Sequence, residues 1–156
     1  MWLKKFYFYQ IDQVIDYDEA LWLGLFERMK SVELARSEKQ GLGWSSPIGE
    51  EGPLFLHHEQ GIWLNLAIQS RNLPASTLKR EVAKKLDELV QMGEQLTARL
   101  KREVKEDVEA QMLTQAFVEH ADIPVFMDLS AKYLLIGAGS DKQADMASSY
   151  LRKTLG

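Results

Sequence analysis

The sequence predicts an α+β fold: a mostly antiparallel sheet, a terminal helix, and a long charged helical segment. Three observations carry this. Strand-length runs of aromatic and aliphatic residues stand near both ends of the chain. A stretch from Thr77 to about Phe117 holds no proline and repeats apolar residues at helical spacing. The last block opens on a capping signature and keeps small apolar residues on one face.

Each element follows from local chemistry. Leu3 to Ile11 is rich in Phe and Tyr, which suits a strand buried on at least one face. Asp16 or Asp18 can cap a helix running to about Val32, with Leu21, Leu25, Phe26 and Met29 at helical spacing. Gln40 to Glu51 reads as loop and short strand, punctuated by Gly41, Gly43, Pro47 and Gly49. Pro53–His57 and Ile62–Ile68 read as two strands, with His58 to Gly61 their turn and Gly61 able to take a positive φ.

Asn72 to Ser76 is a helix start, with Pro74 near its beginning and Ser76 as N-cap. Leu78, Val82, Leu86 and Leu89 form one apolar stripe; Leu96, Leu100, Val104, Val108 and Met112 form another. Gly93 lies between them and costs a helix about 1 kcal/mol relative to Ala. The stretch is therefore one long helix kinked at Gly93 or two helices meeting there. Pro124–Leu129 and Tyr133–Gly137 suit a hairpin. Ser140 with Gln143 makes a capping box for a helix from Asp141 to about Leu155, its Ala144, Ala147, Tyr150 and Leu151 facing the sheet. The expected organisation is one region over 1–156, with a sheet lobe at about 1–71 and 118–156 and a helical extension at about 75–117.

The bulk numbers narrow the function classes. The chain has 156 residues, of which 46% are apolar, so a packed core is possible. There is no cysteine, which removes disulfide scaffolds, thiolate nucleophiles and zinc–cysteine sites. The aromatic N-terminal run is interrupted by Lys4 and Lys5 and is too short for a signal core. No stretch approaches the ~20 apolar residues of a membrane span, so a cytoplasmic protein is expected. The net charge of −4 argues mildly against nucleic acid, although the distribution of charge counts for more than its sum.

Catalytic and metal motifs give little. His57 and His58 are adjacent and would point to opposite faces of a strand; with His120 they offer no zinc spacing. Ser76 and Lys79 stand at S-x-x-K spacing without its partner motifs. Gly137-Ala138-Gly139 is similar to the start of a dinucleotide loop, but Lys142 stands where the third glycine belongs. Glu50-Glu51 and Glu106-Asp107 are paired acids outside any recognisable nuclease spacing. No catalytic residue, metal site or cofactor is expected.

The cations are more suggestive. The helical stretch holds Lys79, Arg80, Lys84, Lys85, Arg99, Lys101, Arg102 and Lys105. Arg80 and Lys84 share a helix face, as do Lys101 and Lys105, and such a row can lie along a phosphate backbone. The same stretch carries Glu81, Asp87, Glu88, Glu94, Glu103, Glu106, Asp107 and Glu109. On charge alone, a solvated helix surface supported by pairs such as Glu81–Lys85 is the better reading.

An ordered set of landmarks then bears on function. They are Met1-Trp2-Leu3-Lys4-Lys5-Phe6, Gly43-Trp44-Ser45-Ser46-Pro47-Ile48-Gly49, Leu73-Pro74, Ala116-Phe117, Lys142-Gln143-Ala144-Asp145, and Leu151 to Gly156. In this order and spacing the chain resembles the N-terminal half of RdgC, a family of recombination-associated DNA-binding proteins of bacteria. The resemblance implies a homodimeric ring that encircles duplex DNA through a positive hole, binds without sequence preference, associates with the nucleoid, and hinders the RecA recombinase. It implies no catalytic residues. It places Phe117 where an aromatic closes the ring between subunits, and Gln115 where a relative can have arginine. Family members are longer, so this chain is expected to be either a fragment or a short relative, and encirclement is not simply inherited.

Three functions are thus carried forward: a nonspecific duplex-DNA binder, an interaction or dimerisation module without nucleic acid, and, weakest, a metal-dependent nuclease.

Overall fold

The computed structural model describes residues 5–59 and 61–156. Its elements are β1 (Phe6–Gln10), α1 (Glu19–Arg28), β2 (Gln40–Ser45), β3 (Phe55–His58), β4 (Gly61–Arg71), α2 (Ala75–Gln91), α3 (Ala98–Gln115), β5 (Val118–Asp128), β6 (Tyr133–Gly137) and α4 (Asp141–Leu155). One six-stranded sheet runs in the order β1-β6-β5-β4-β2, with β3 paired to β4. The β1–β6, β5–β6 and β3–β4 pairs are antiparallel. This is the α+β class the sequence predicts. Met1 to Lys4, which open the predicted first strand, lie outside the described residues.

Contacts divide the chain into two compact units. The first comprises residues 1–32, 42–68 and 120–156; the second comprises 33–41 and 69–119. The helical unit therefore takes in residues 33–41 as well as the expected helical stretch.

The core of the first unit lies on one face of the sheet. Strand alternation sends Ile62, Leu64 and Leu66 of β4, Val125 and Met127 of β5, and Leu134 and Ile136 of β6 to that face. Trp22 and Phe26 of α1 and Ala144, Ala147 and Leu151 of α4 complete it. Trp44 is the anchor. It is fully buried, its ring lies 5.1 Å from Phe26 and 5.6 Å from Tyr150, and its indole N–H donates to Thr154 Oγ1 at 2.8 Å. The Tyr150 hydroxyl donates to the Met29 and Leu42 carbonyls, so α4 also holds the β2 neighbourhood by its backbone. Burial raises the pKa of that hydroxyl.

Helix α1 is shorter than its periodicity predicts. Asp18 caps it, accepting from Leu21 N–H at 2.9 Å, and it ends at Arg28 rather than near Val32. The reason is a competing partner: Trp44 N–H donates to the Met29 carbonyl and Ser31 N–H to the Trp44 carbonyl, which makes Lys30 and Trp44 a parallel bridge. The buried face is also rotated. Trp22 and Phe26 are buried, whereas Leu21 is exposed.

Two turn expectations are corrected. The left-handed residue of the β3–β4 turn is Glu59, with φ 55°, and Gly61 serves a close approach instead. A Cβ on Gly61 would meet the Phe126 ring at 2.6 Å. Ser76 lies inside α2, and Pro74 occupies the N-cap without a side-chain hydrogen bond. Proline fixes the φ needed there, so the helix begins before the hydroxyl. Strand β5 is longer than expected because Glu119 to Asp122 are exposed, three of the four are polar, and they give no strand signal.

The C-terminal helix occupies the predicted range. Ser140 Oγ accepts from Gln143 N–H at 3.3 Å, and Gln143 Oε1 reaches back to Gly139 N–H at 3.0 Å. In its first turn Asp141 accepts the Tyr7 hydroxyl at 2.5 Å and faces Lys5 at 3.5 Å. The Tyr7 hydrogen bond, then Lys5, hold that carboxyl below the usual range.

Candidate nucleic-acid interface

The second unit is built on two packed helices. Leu78, Val82, Leu86 and Leu89 of α2 are half-buried, and Val104 of α3 is buried. The apolar stripes read from the sequence thus become the contact between α2 and α3. The break falls at Gly93, and the structure resolves the open alternative in favour of two helices. Gly93 has φ 89° and donates to the Val90 carbonyl, while Glu94 N–H reaches the Leu89 carbonyl. That is a Schellman closure, which favours glycine because a Cβ opposes positive φ. Thr97 then caps α3, accepting from Leu100 N–H at 3.1 Å. Leu96, assigned to the second stripe, precedes the helix and is exposed.

Residues 33–41 are held to this unit by two cations that sequence reasoning did not single out. The Arg71 guanidinium donates to the carbonyls of Ala35, Glu38 and Leu34, and Lys39 pairs with Glu109 of α3. Their roles depend on contacts distant in sequence, which leave no local signal.

The eight predicted DNA-binding cations divide by environment. Lys85 pairs with Glu88 at 3.4 Å, and Arg99 with Glu103 at 2.9 Å, both within one helix. Lys79, Arg80, Lys84, Lys101, Arg102 and Lys105 have no acid within 4.0 Å among the described residues, and all six are exposed. Arg80 and Lys84 are one turn apart on α2; Lys101 and Lys105 are one turn apart on α3. Glu81, Asp87, Glu106 and Asp107 are interspersed along the same helices, so the cations form two short rows rather than one uninterrupted strip.

Charge is unevenly shared between the units. The second carries eleven Lys and Arg against eleven Asp and Glu, so the formal −4 belongs to the first.

Beside the helices lies a groove of about 640 Å³, walled by Leu73, Thr77, Lys84 and Lys85 on one side and Val108, Met112, Gln115 and Phe117 on the other. Helix α3 ends at Ala116, whose extended backbone (φ −72°, ψ 139°) turns the next residue outward. Phe117 is 92% exposed, the highest value among the exposed large apolar residues described. Burying such a ring against a partner removes a large apolar surface from water. Gln115, the last residue of α3, is exposed at the groove's wall.

The histidines stay apart, as adjacent strand residues should. His57 packs against Tyr17 with ring centres 4.2 Å apart, and His58 is 3.9 Å from Glu59. Among the described residues no three His, Asp or Glu side chains form a metal-holding group. No helix among them is long and apolar enough to cross a membrane.

Comparison with known proteins agrees with the ordered landmarks. A family model described as "Putative exonuclease, RdgC" matches residues 1–156. A "Recombination-associated protein RdgC" of Actinobacillus pleuropneumoniae serotype 3 is 29% identical over 158 residues, covering 99% of this chain and 52% of the relative. Its namesake in Tolumonas auensis is 29% identical over 163 residues, covering 100% of this chain and 52% of that protein. The namesake in Haemophilus influenzae strain PittGG is 26% identical over 157 residues, with the same coverage. The chain spans about half the length of the curated relatives it matches. On the family match along its whole length, the chain belongs to the RdgC family.

Proposed function

We propose that this chain is a non-catalytic, sequence-nonspecific duplex-DNA binder of recombination. In this reading it works as a homodimer at the nucleoid and grips phosphates with the cations of α2 and α3. The observation that carries the reading is the set of six exposed helical cations without an acid within 4.0 Å among the described residues, in the unit that does not bear the chain's negative charge. A phosphate backbone is the natural counterion for two such rows, since each contact releases condensed cations from DNA. The relatives' printed name, recombination-associated protein, agrees with this role. DNA held in this way would be less open to the RecA recombinase.

Binding is preferred over cleavage because no three His, Asp or Glu side chains come together to hold a metal among the described residues, and three of the carboxylates along these rows are engaged. Glu88, Glu103 and Glu109 pair with Lys85, Arg99 and Lys39 rather than standing free for a metal. Pairing of two copies is assigned to Phe117, with Gln115 beside it, in the groove that each copy offers. One observation favours a second reading, an interaction module without DNA: the second unit's cations and acids balance in number.

Sedimentation separates the two. The wild-type chain should run as a dimer and shift on adding a mixed-sequence duplex. Phe117→Ala should run as a monomer and bind the duplex roughly tenfold or more weakly, because the second set of contacts is no longer tethered. A dimer that ignores duplex DNA would overturn the DNA reading in favour of the module.

A further inference from the structure

The first unit holds a groove of its own, with a volume of about 510 Å³. It opens between the coil of residues 11–18, which leads into α1, and the C-terminal half of α4. Its floor is the edge of the core, where Trp22, Met127, Leu134 and Leu151 are buried. Its rim is apolar too, but wet: Val14 is 79% exposed and Leu21 58%. Apolar surface that runs from a rim onto a core-like floor is area left for a partner to cover. The backbone of the coil is also unspent. Ile11 N–H donates to the Lys132 carbonyl, and the Asp16 carbonyl accepts the Trp22 indole N–H. Between these two points, Asp12 to Ile15 make no backbone hydrogen bond among the described residues. Free backbone donors and acceptors of this kind can pair with an extended segment laid alongside.

We infer that this groove docks an extended basic segment of a partner protein, with aliphatic side chains for the floor and lysine or arginine for the rim. Charge identifies the occupant. From Phe6 to Glu27 the sequence has no lysine or arginine, yet it has five acids: Asp12, Asp16, Asp18, Glu19 and Glu27. Asp18 is spent as the cap of α1, and Glu27 pairs with Lys30. Asp12 and Asp16 line the groove, are exposed, and have no cation within 4.0 Å among the described residues. An uncharged partner would desolvate these two carboxylates without pairing them, and an anionic one would be repelled. Arg152, on the α4 wall, is the one cation among the lining residues. It is exposed and can donate to backbone carbonyls of the docked segment, which the acids cannot do. Cationic side chains then face the coil and carbonyls face α4.

The docking site uses no residue of α2 or α3, so it stands or falls apart from the duplex assignment. The probe is a labelled peptide of about nine residues that alternates leucine with arginine. Two control peptides carry serine in place of leucine, or glutamate in place of arginine. Fluorescence anisotropy would be read for the wild type, Asp12→Asn/Asp16→Asn, Val14→Ser/Leu21→Ser and Glu50→Gln/Glu51→Gln, with circular dichroism on the same samples. The wild type should bind the leucine–arginine peptide roughly tenfold or more above either control. The Asp12/Asp16 and Val14/Leu21 variants should each lose roughly tenfold. The Glu50/Glu51 variant removes two exposed acids of the same unit outside the groove, and should stay within about twofold of the wild type. Equal binding of the three peptides, or an equal loss in the Glu50/Glu51 variant, would reduce the effect to the general field of an acidic unit and overturn the docking site. So would preference for the glutamate peptide, or no measurable binding of the leucine–arginine peptide to the folded wild type. A self-association that the folded Val14/Leu21 variant abolishes would assign the groove to a second copy instead.

Discussion

Reversing Arg80, Lys84, Arg102 and Lys105 to glutamate should weaken duplex binding by roughly a hundredfold or more at low salt, without unfolding the protein. All four are exposed and none has an acid partner within 4.0 Å among the described residues, so their removal breaks no internal ion pair. Exposed charges of this kind contribute little to stability, and the thermal midpoint should move by only a few degrees. The variant should also lose about four from the magnitude of the salt slope, one for each phosphate contact. A duplex electrophoretic or anisotropy titration measures both quantities. Unchanged affinity in a folded variant would reject this assignment and leave the surface of α2 and α3 as ordinary solvated helix. Reversing Lys85 and Arg99, which already have partners, should have the smaller effect on affinity.

Trp44→Ala should cost about 3–5 kcal/mol of stability, the scale for deleting a large buried aromatic. With a total of roughly 5–15 kcal/mol expected for a domain, that loss leaves the first unit marginal or unfolded at ambient temperature. The cost has identifiable parts. The ring fills space between Phe26 and Tyr150, and its N–H is a donor to Thr154 Oγ1, which in turn donates to the Tyr150 carbonyl. Trp44→Phe isolates them. It keeps an aromatic ring and leaves Thr154 its own donation, so it should recover more than half of the loss. The remaining deficit reports the hydrogen bond, about 1 kcal/mol, and the smaller ring. Urea unfolding followed by circular dichroism would show both midpoints. Equal midpoints for wild type and Trp44→Ala would contradict the placement of Trp44 at the centre of the core.

How far the sequence went depended on whether a signal was local. Helix α4 was legible to its boundaries because Ser140 and Gln143 sit at a capping spacing and the small apolar residues keep period. The two stripes around Gly93 were legible for the same reason, and only the choice between a kink and a break needed coordinates. Helix α1 was overextended because its stop is set by Trp44, far along the chain, whose amide captures the Met29 carbonyl. Gly61 was given a conformation that Glu59 adopts, because a sequence shows which residue is permissive but not which is crowded by Phe126. The run Phe6–Tyr9 was readable as a strand. That Tyr7 and Tyr9 would pack on the core while Phe6 and Phe8 stayed in water required the sheet.

The interface was legible in kind but not in arrangement. The cations and the acids among them are plain in the sequence, and four-residue spacing predicts which share a helix face. Which of them would be spent on neighbours was not readable. Glu81–Lys85 was the expected pair, whereas Lys85 takes Glu88. Arg71 and Lys39 are occupied by backbone carbonyls and by Glu109, contacts that only folding brings together. Phe117 followed from resemblance; its exposure and the groove beside it did not.

The most direct test of phosphate capture by α2 and α3 is a salt titration of wild-type duplex affinity. With six helical cations in each copy that have no acid partner among the described residues, the logarithm of the association constant should fall linearly with the logarithm of salt, with a slope near −5 for each chain engaged. Affinity that is flat between about 50 and 200 mM salt, or a slope near zero with measurable binding, would contradict the account.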